Sequence, residues 1–329
     1  MDNFQAAKWL NNAHLQTIYS TLFRRCPITH FSIQVFPLAD GDFVECYWYQ
    51  RPDKDSSRPI VTLFHGLAGS YKSPYIQGIM RCLHSTGYAV VLMHFRGCSG
   101  IPNNLARAYH SGDTADAKAW IDYLHQEYPS CQLFAVGYSL GGNMLLKLLG
   151  DEYRKHSPLQ AAVSVSAPLN LAICAKTMQI GFAQVYQHYL LKPLKKSLLD
   201  KYQKHDFQHL ISLDKQQVAD IATIEEFDDL YTARIHGFSG SDDYYNRASS
   251  NQFLAYINTP TLIIHALDDP FMTPEILPKA QHLPESITLV TTTSGGHLGF
   301  ISGSIVKPEY WLERKILQYF EAFSESQKD

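Results

Sequence analysis

Apolar positions change rhythm along this chain. Residues 30–36 and 43–49 read as two strands joined through Asp40-Gly41, a dipeptide suited to a tight hairpin. From residue 60 onward short continuous apolar runs take over, at 60–64, 88–93, 133–136, 161–165, 262–264 and 287–290. Such runs belong to strands buried on both faces of a sheet. Helical spacing fills the gaps, most clearly at 75–85 and 114–127. An antiparallel start followed by strand–helix alternation predicts an α/β fold: a mostly parallel mixed sheet of about eight strands with helices on both faces.

The alternation fails once. About 90 residues separate the strand ending near Ser166 from the one starting at Thr261, far more than a connecting loop needs. This interval contains a Leu- and Lys-rich stretch, 190–205, and an acidic piece, 225–229. It is expected to be a largely helical cap, residues 168–258, inserted within a single domain of residues 1–329. The stretch 190–205 has an amphipathic character that suits either lipid contact or packing on a core, and packing is the expectation.

Composition narrows the class without identifying chemistry. With 45% hydrophobic residues and 18% charged in 329, the chain can bury one large core. A net charge of −3 with no long basic block argues against nucleic acid as a main partner. The first 20 residues lack the basic start and apolar stretch of a secretion signal. No run approaches the roughly 18 apolar residues of a membrane-spanning helix, so no integral membrane segment is expected. Cys26, Cys46, Cys82, Cys98, Cys131 and Cys174 are scattered without a pairing framework, as expected of reduced thiols in a cytoplasmic protein.

The chemistry sits in loops that follow strands. Gly137-Tyr138-Ser139-Leu140-Gly141 fits G-x-S-x-G, follows the apolar run 133–136 and opens into a helix-forming run. A strand-to-helix turn this sharp presents the central hydroxyl above the sheet beside a helix N-terminus, which favours a developing oxyanion. A serine needs a base, and the partners in this arrangement follow in the order serine, acid, histidine. Asp268-Asp269-Pro270 follows the run 262–264, and Gly295-Gly296-His297 follows 287–290. His297 is the expected general base. Asp269, next to the turning proline, is favoured as the acid that orients it, with Asp268 free to bond the loop backbone. His65-Gly66-Leu67-Ala68-Gly69 follows the run 60–64, so the backbone N–H groups of Leu67 and Leu140 are the expected oxyanion donors.

Other candidates carry less. His65, His94 and His110 lack the spacing of a zinc site, and loop-bracing hydrogen bonds suit them better. Cys98 has no assigned base or helix N-terminus to activate it. Ser111, Asp113 and Thr114 look like a helix start. No cofactor is implied, since nucleophile, base and donors are all protein groups.

These pieces together resemble the YheT-like branch of the α/β-hydrolases, the AB hydrolase 4 family. The matching segments are Asn12-Ala13-His14-Leu15-Gln16-Thr17, His65 to Ser70, His94 to Gly100, Tyr109 to Thr114, Gly137 to Leu149, Asp243-Tyr244-Tyr245, Asp268-Asp269-Pro270 and Gly295 to Phe300. The resemblance implies a Ser-Asp-His triad, here Ser139, Asp269 and His297, and esterase or lipase activity on short-chain or monoacyl esters. Some eukaryotic members act on phospholipids and carry an N-terminal membrane anchor. No comparable stretch stands here, and the chain resembles the compact bacterial members. The expected partner is a small-molecule ester or lipid-like acyl substrate, held partly by residues of the 170–256 interval. An acyltransferase resolving the same acyl-enzyme with an alcohol, a peptidase, and a non-catalytic binding module are the alternatives on this scaffold.

Overall fold

The computed structural model describes residues 4–25 and 27–324, so Cys26 and the two chain ends lie outside the described residues. Eight strands form one sheet: β1 (Ser32–Pro37), β2 (Phe43–Tyr49), β3 (Ile60–Phe64), β4 (Ala89–Met93), β5 (Leu133–Tyr138), β6 (Leu159–Val165), β7 (Thr261–Ala266) and β8 (Ile287–Thr292). Their order is β1-β2-β4-β3-β5-β6-β7-β8. β1, β2 and β4 pair antiparallel, and every pairing from β4 to β8 is parallel. The hairpin turns at Asp40-Gly41, where Gly41 takes φ +83°, a conformation that only glycine adopts freely. A separate two-stranded ribbon joins Ile301–Gly303 to Pro308–Tyr310.

The central apolar runs are continuous because both faces of the sheet are covered there, whereas β8 is partly exposed. Every residue of β3, β4 and β5 is buried. On one face lie α2 (Pro74–Ser85) and the last helix; on the other lie α3 (Ala115–Glu127) and α4 (Leu140–Gly150). Side chains therefore divide by parity: Val61 and Leu63 of β3 join one core cluster, Ile60 and Phe64 the other. Before β1 the chain forms α1 (Ala13–Phe23), capped by the Asn12 side chain, which accepts from His14 N and Leu15 N. The predicted helix start at 111–114 is there, but Thr114 makes no capping bond; Asp113 pairs with Arg107 instead.

Between β6 and β7 the chain leaves the sheet and forms α5 (Leu171–Thr177), α6 (Ala183–Lys201), α7 (Phe207–Ile211), α8 (Lys215–Asp220), α9 (Ile224–Phe227), a π-helical turn (Asp228–Ala233) and α10 (Ser241–Ala248). The chain then closes with α11 (Trp311–Ser324). The excursion has its own small core, in which Leu191 and Leu198 of α6 meet Phe207, Val218, Phe227 and Tyr231. The amphipathic stretch foreseen at 190–205 thus lies mostly within α6, and its apolar face packs inward. Polar bonds fasten the excursion to the loop at 103–108. Lys201 Nζ donates to Asn103 Oδ1 and Leu105 O, both at 2.6 Å, and Tyr231 Oη donates to Ala106 O at 2.8 Å.

Candidate active site

The parallel strands β3, β5, β7 and β8 all end at one edge of the sheet, where loops collect in open doubly wound sheets. At the end of β5 the chain reverses into α4 at Ser139, which takes φ +49° and ψ −118°. A non-glycine residue held there stores roughly 1–3 kcal/mol of strain, and the neighbours explain how it is held. Ser139 N donates to Val165 O at 2.8 Å, prolonging the β5–β6 ladder. A Cβ at Gly137 would lie 2.4 Å from Gly141 O, and one at Gly141 would lie 2.6 Å from both His65 O and Phe64 O. The turn is closed by backbone contacts that tolerate no side chain.

Ser139 Oγ lies 3.0 Å from His297 Nε2, and His297 Nδ1 lies 2.8 Å from Asp269 Oδ2. Since Nδ1 donates to the carboxylate, Nε2 is left as the acceptor that a general base must offer. Asp269 is 5% exposed, and its second oxygen accepts from Phe271 N at 2.9 Å. Asp268, the other candidate, accepts with Oδ1 from Gly296 N at 2.9 Å and so ties one loop to the other. The structure brings the three expected side chains together in hydrogen-bonded sequence.

The expected oxyanion donors are free of other duties. Gly66 N donates to Tyr75 Oη and Ala68 N to Tyr109 Oη, both at 2.9 Å, while Gly69 N donates to Gly66 O at 3.0 Å. Leu67 N–H, between them, has no partner among the described residues, and neither has Leu140 N–H at the start of α4. Gly66 rests against the nucleophile turn, where a Cβ would sit 3.2 Å from Ser139 Cβ.

The remaining histidines of these loops are braces. Phe95 N donates to His65 Nε2 at 3.1 Å, so the proton sits on Nδ1, which donates to Gly66 O at 2.7 Å. His94 repeats the pattern between Tyr71 N and Glu45 O. Burial holds His65 down at about 3 and His94 at about 4, neutral as these bonds require. Burial also pushes the Cys98 thiol up to about 12, so it stays protonated. One cluster has ligand-like spacing: His110, Asp113 and His236 bring nitrogen and oxygen atoms within 4.8 Å of one another. Its donors are largely committed, Asp113 to Arg107 at 2.6 Å and His236 Nδ1 to Thr232 O at 2.9 Å, with a guanidinium where a cation would have to approach.

Two parts of the site carried no sequence signal of their own. The Phe271 ring lies flat on the His297 imidazole, 3.9 Å between centroids and 8° between planes. α1 braces the histidine loop from behind: Thr17 Oγ1 accepts from His297 N at 2.9 Å, and Gln16 Oε1 accepts from Ile301 N at 2.7 Å. Gly296 and Gly299 permit the approach, since a Cβ on either would lie 2.4 Å from an α1 carbonyl oxygen.

Ser139 opens into a cavity of about 310 Å³, within the size range of small-molecule sites. Its floor is the sheet edge, and most of its remaining wall comes from the excursion, including Met178, Leu190, Leu194 and Tyr231. The lining is mostly apolar, with Arg96, His110, Ser197, Lys201, Asp228 and Thr232 among its polar residues.

The sheet order and the turn at Ser139 define an α/β hydrolase, and the chain belongs to the α/β hydrolase fold family, whose model matches residues 59–304. It is similar to the putative esterase YheT of Escherichia coli strain K12, at 43% identity across 98% of this chain and 94% of that one. Phospholipase ABHD3 of Bos taurus is 29% identical across 98% of this chain and 79% of its own length. Among solved structures, the esterase Pf2001 of Pyrococcus furiosus shares the fold with a TM-score of 0.59 at 16% identity, over 90% of this chain and 91% of that one. No helix among the described residues is long and apolar enough to cross a membrane.

Proposed function

We propose that this hydrolase cleaves carboxylic esters through an acyl-enzyme on Ser139. The observation that carries the reading is the unbroken relay from Ser139 Oγ to His297 to Asp269 at the mouth of a mostly apolar cavity. Esterase and phospholipase names among its relatives agree with that chemistry.

Ser139 Oγ attacks the ester carbonyl carbon while His297 Nε2 takes its proton. The carbonyl oxygen becomes an oxyanion that accepts hydrogen bonds from Leu67 N–H and Leu140 N–H, and one such donor is worth about 3–4 kcal/mol in the transition state. The C–O bond to the alcohol then breaks, and the imidazolium returns the proton to the departing oxygen. Water, deprotonated by His297, attacks the acyl carbonyl, and the acid leaves as Ser139 recovers its proton. Asp269 keeps the imidazole in the working tautomer and stabilises its charge. Short-chain or monoacyl esters fit a cavity of this size and lining, with water as the acceptor.

The test is hydrolysis of p-nitrophenyl esters of two-, four-, eight- and twelve-carbon acids. Turnover is expected, with a preference among chain lengths that shifts when Leu194 or Met178 is enlarged to Phe. Absence of turnover on every ester would contradict the reading.

A further inference from the structure

One acid in the cavity wall has no part in the chemistry at Ser139. Asp228 opens the π-helical turn Asp228–Ala233, and it lines the same cavity as Ser139. Such turns concentrate at functional sites, because the widened ring is less stable than an α-helical one. Its Oδ2 accepts from Tyr245 Oη at 2.9 Å. Around it the wall is aromatic, with Phe227, Tyr231 and Tyr244 beside Tyr245.

A carboxyl among rings is costly unless it is paired or neutral. No basic side chain pairs with Asp228 among the described residues. The groups that feel its charge are Glu225 nearby in the chain, Cys174 of α5, and Tyr244 and Tyr245 of α10. Burial, with Glu225 adding to it, pushes the carboxyl up to about 7 against the hydrogen bonds from Thr232 and Tyr245. Below neutral pH it is largely an uncharged donor and acceptor facing the cavity, and near pH 7 the charged and neutral forms coexist.

We propose that Asp228 is a specificity residue that hydrogen-bonds a hydroxyl carried on the bound ester, making hydroxylated esters the preferred substrate class. The proposal rests on the ester-hydrolase reading of Ser139. A plain alkyl ester filling the cavity strips water from Asp228 and adds nothing to its bonds with Tyr245 and Thr232, and a polar group left short of partners discriminates against such a ligand. A hydroxyl donates and accepts, so it satisfies the carboxyl in either protonation state. A quaternary ammonium group would need a permanent anion, which burial disfavours here.

Two matched pairs test it: methyl octanoate against methyl 8-hydroxyoctanoate, and propyl octanoate against 2-hydroxyethyl octanoate. The wild type is expected to favour the hydroxylated member of at least one pair by about tenfold or more in kcat/KM. Asp228→Leu is expected to erase that ratio, and Asp228→Asn, which keeps a donor and an acceptor, to retain most of it. A crystal structure of the wild type trapped on Ser139 by a phosphonate with the preferred hydroxylated chain should place that hydroxyl against Asp228, whether or not the Leu variant folds. The proposal is overturned by equal rates within both pairs, by a choline ester outrunning them, by a preference that survives Asp228→Leu, or by the trapped hydroxyl lying elsewhere. If a plain phosphonate labels Ser139 but no hydroxyl preference exists, only the Asp228 assignment falls. If nothing reacts at Ser139, the hydrolase reading falls with it.

Discussion

Two adjacent carboxylates, Asp268 and Asp269, take different work because the loop points them at different donors. Asp269 faces a ring N–H that becomes cationic in the proposed mechanism, while Asp268 holds a backbone N–H of the neighbouring loop. Asp269→Asn is accordingly expected to lower kcat by about ten-thousandfold through the wrong tautomer. Asp268→Asn keeps an acceptor for Gly296 N–H and is expected to cost at most about tenfold, on the scale of one neutral hydrogen bond. Steady-state kinetics of the two variants separate the roles; equal losses would contradict the division. Ser139, His297 and Asp269 were legible in the sequence because each stands at a fixed place after a strand, bounded by glycine or proline. Phe271 was not, because a ring stacked on another ring leaves no mark on spacing. Asp228 was visible only as part of an acidic piece, and its place in the wall depends on how the helices between β6 and β7 fold back.

At the scale of elements, the site is a set of loops held from outside the sheet. The segment 12–17 stood out only through a family resemblance, and the structure supplies its physical reason. Asn12 caps α1, Gln16 bonds the chain after the histidine, and Thr17 holds the histidine's own backbone. Thr17→Val keeps the shape but leaves the His297 N–H without its acceptor. A loss of about 1–3 kcal/mol in stability is expected from that unpaired group. A fall in kcat with little change in KM should accompany it, since the imidazole and not the cavity is displaced. Thermal melts together with kcat and KM check this, and an unchanged kcat would contradict the bracing role. The central strands β3, β4 and β5 were readable to within a few residues because burial on both faces writes a continuous apolar run. The order of the excursion's helices over the cavity was not, because α7, α8 and α9 are short segments whose placement is set by packing on α6 and on the loop at 103–108.

Across the whole molecule, the sheet supplies a rigid edge and the excursion supplies most of the cavity wall. The buried histidines also set the response to acid. His65, His94 and His110 are held by burial at about 3, 4 and 3, below the ordinary 6.5 that each regains on unfolding. Below pH 6.5 the unfolded chain therefore binds more protons than the folded one, and stability falls as pH drops from about 6.5 towards 4. His84, His236 and His265 are lowered too, while Asp228, with Asp116, Asp268 and Glu313, is raised in the folded state and acts in the opposite sense, as four carboxyls against six histidines. Urea midpoints are expected to decline through that window, and a flat or rising profile would contradict the neutral, bonded state assigned to these rings.

The most direct test of the account is the mass of the intact protein after exposure to a fluorophosphonate, in the wild type and in Ser139→Ala. One adduct is expected on the wild type, mapped to the peptide containing Ser139, and none on the variant. An adduct that persists in Ser139→Ala, or a wild type that stays unlabelled, would contradict the assignment of Ser139 as the nucleophile.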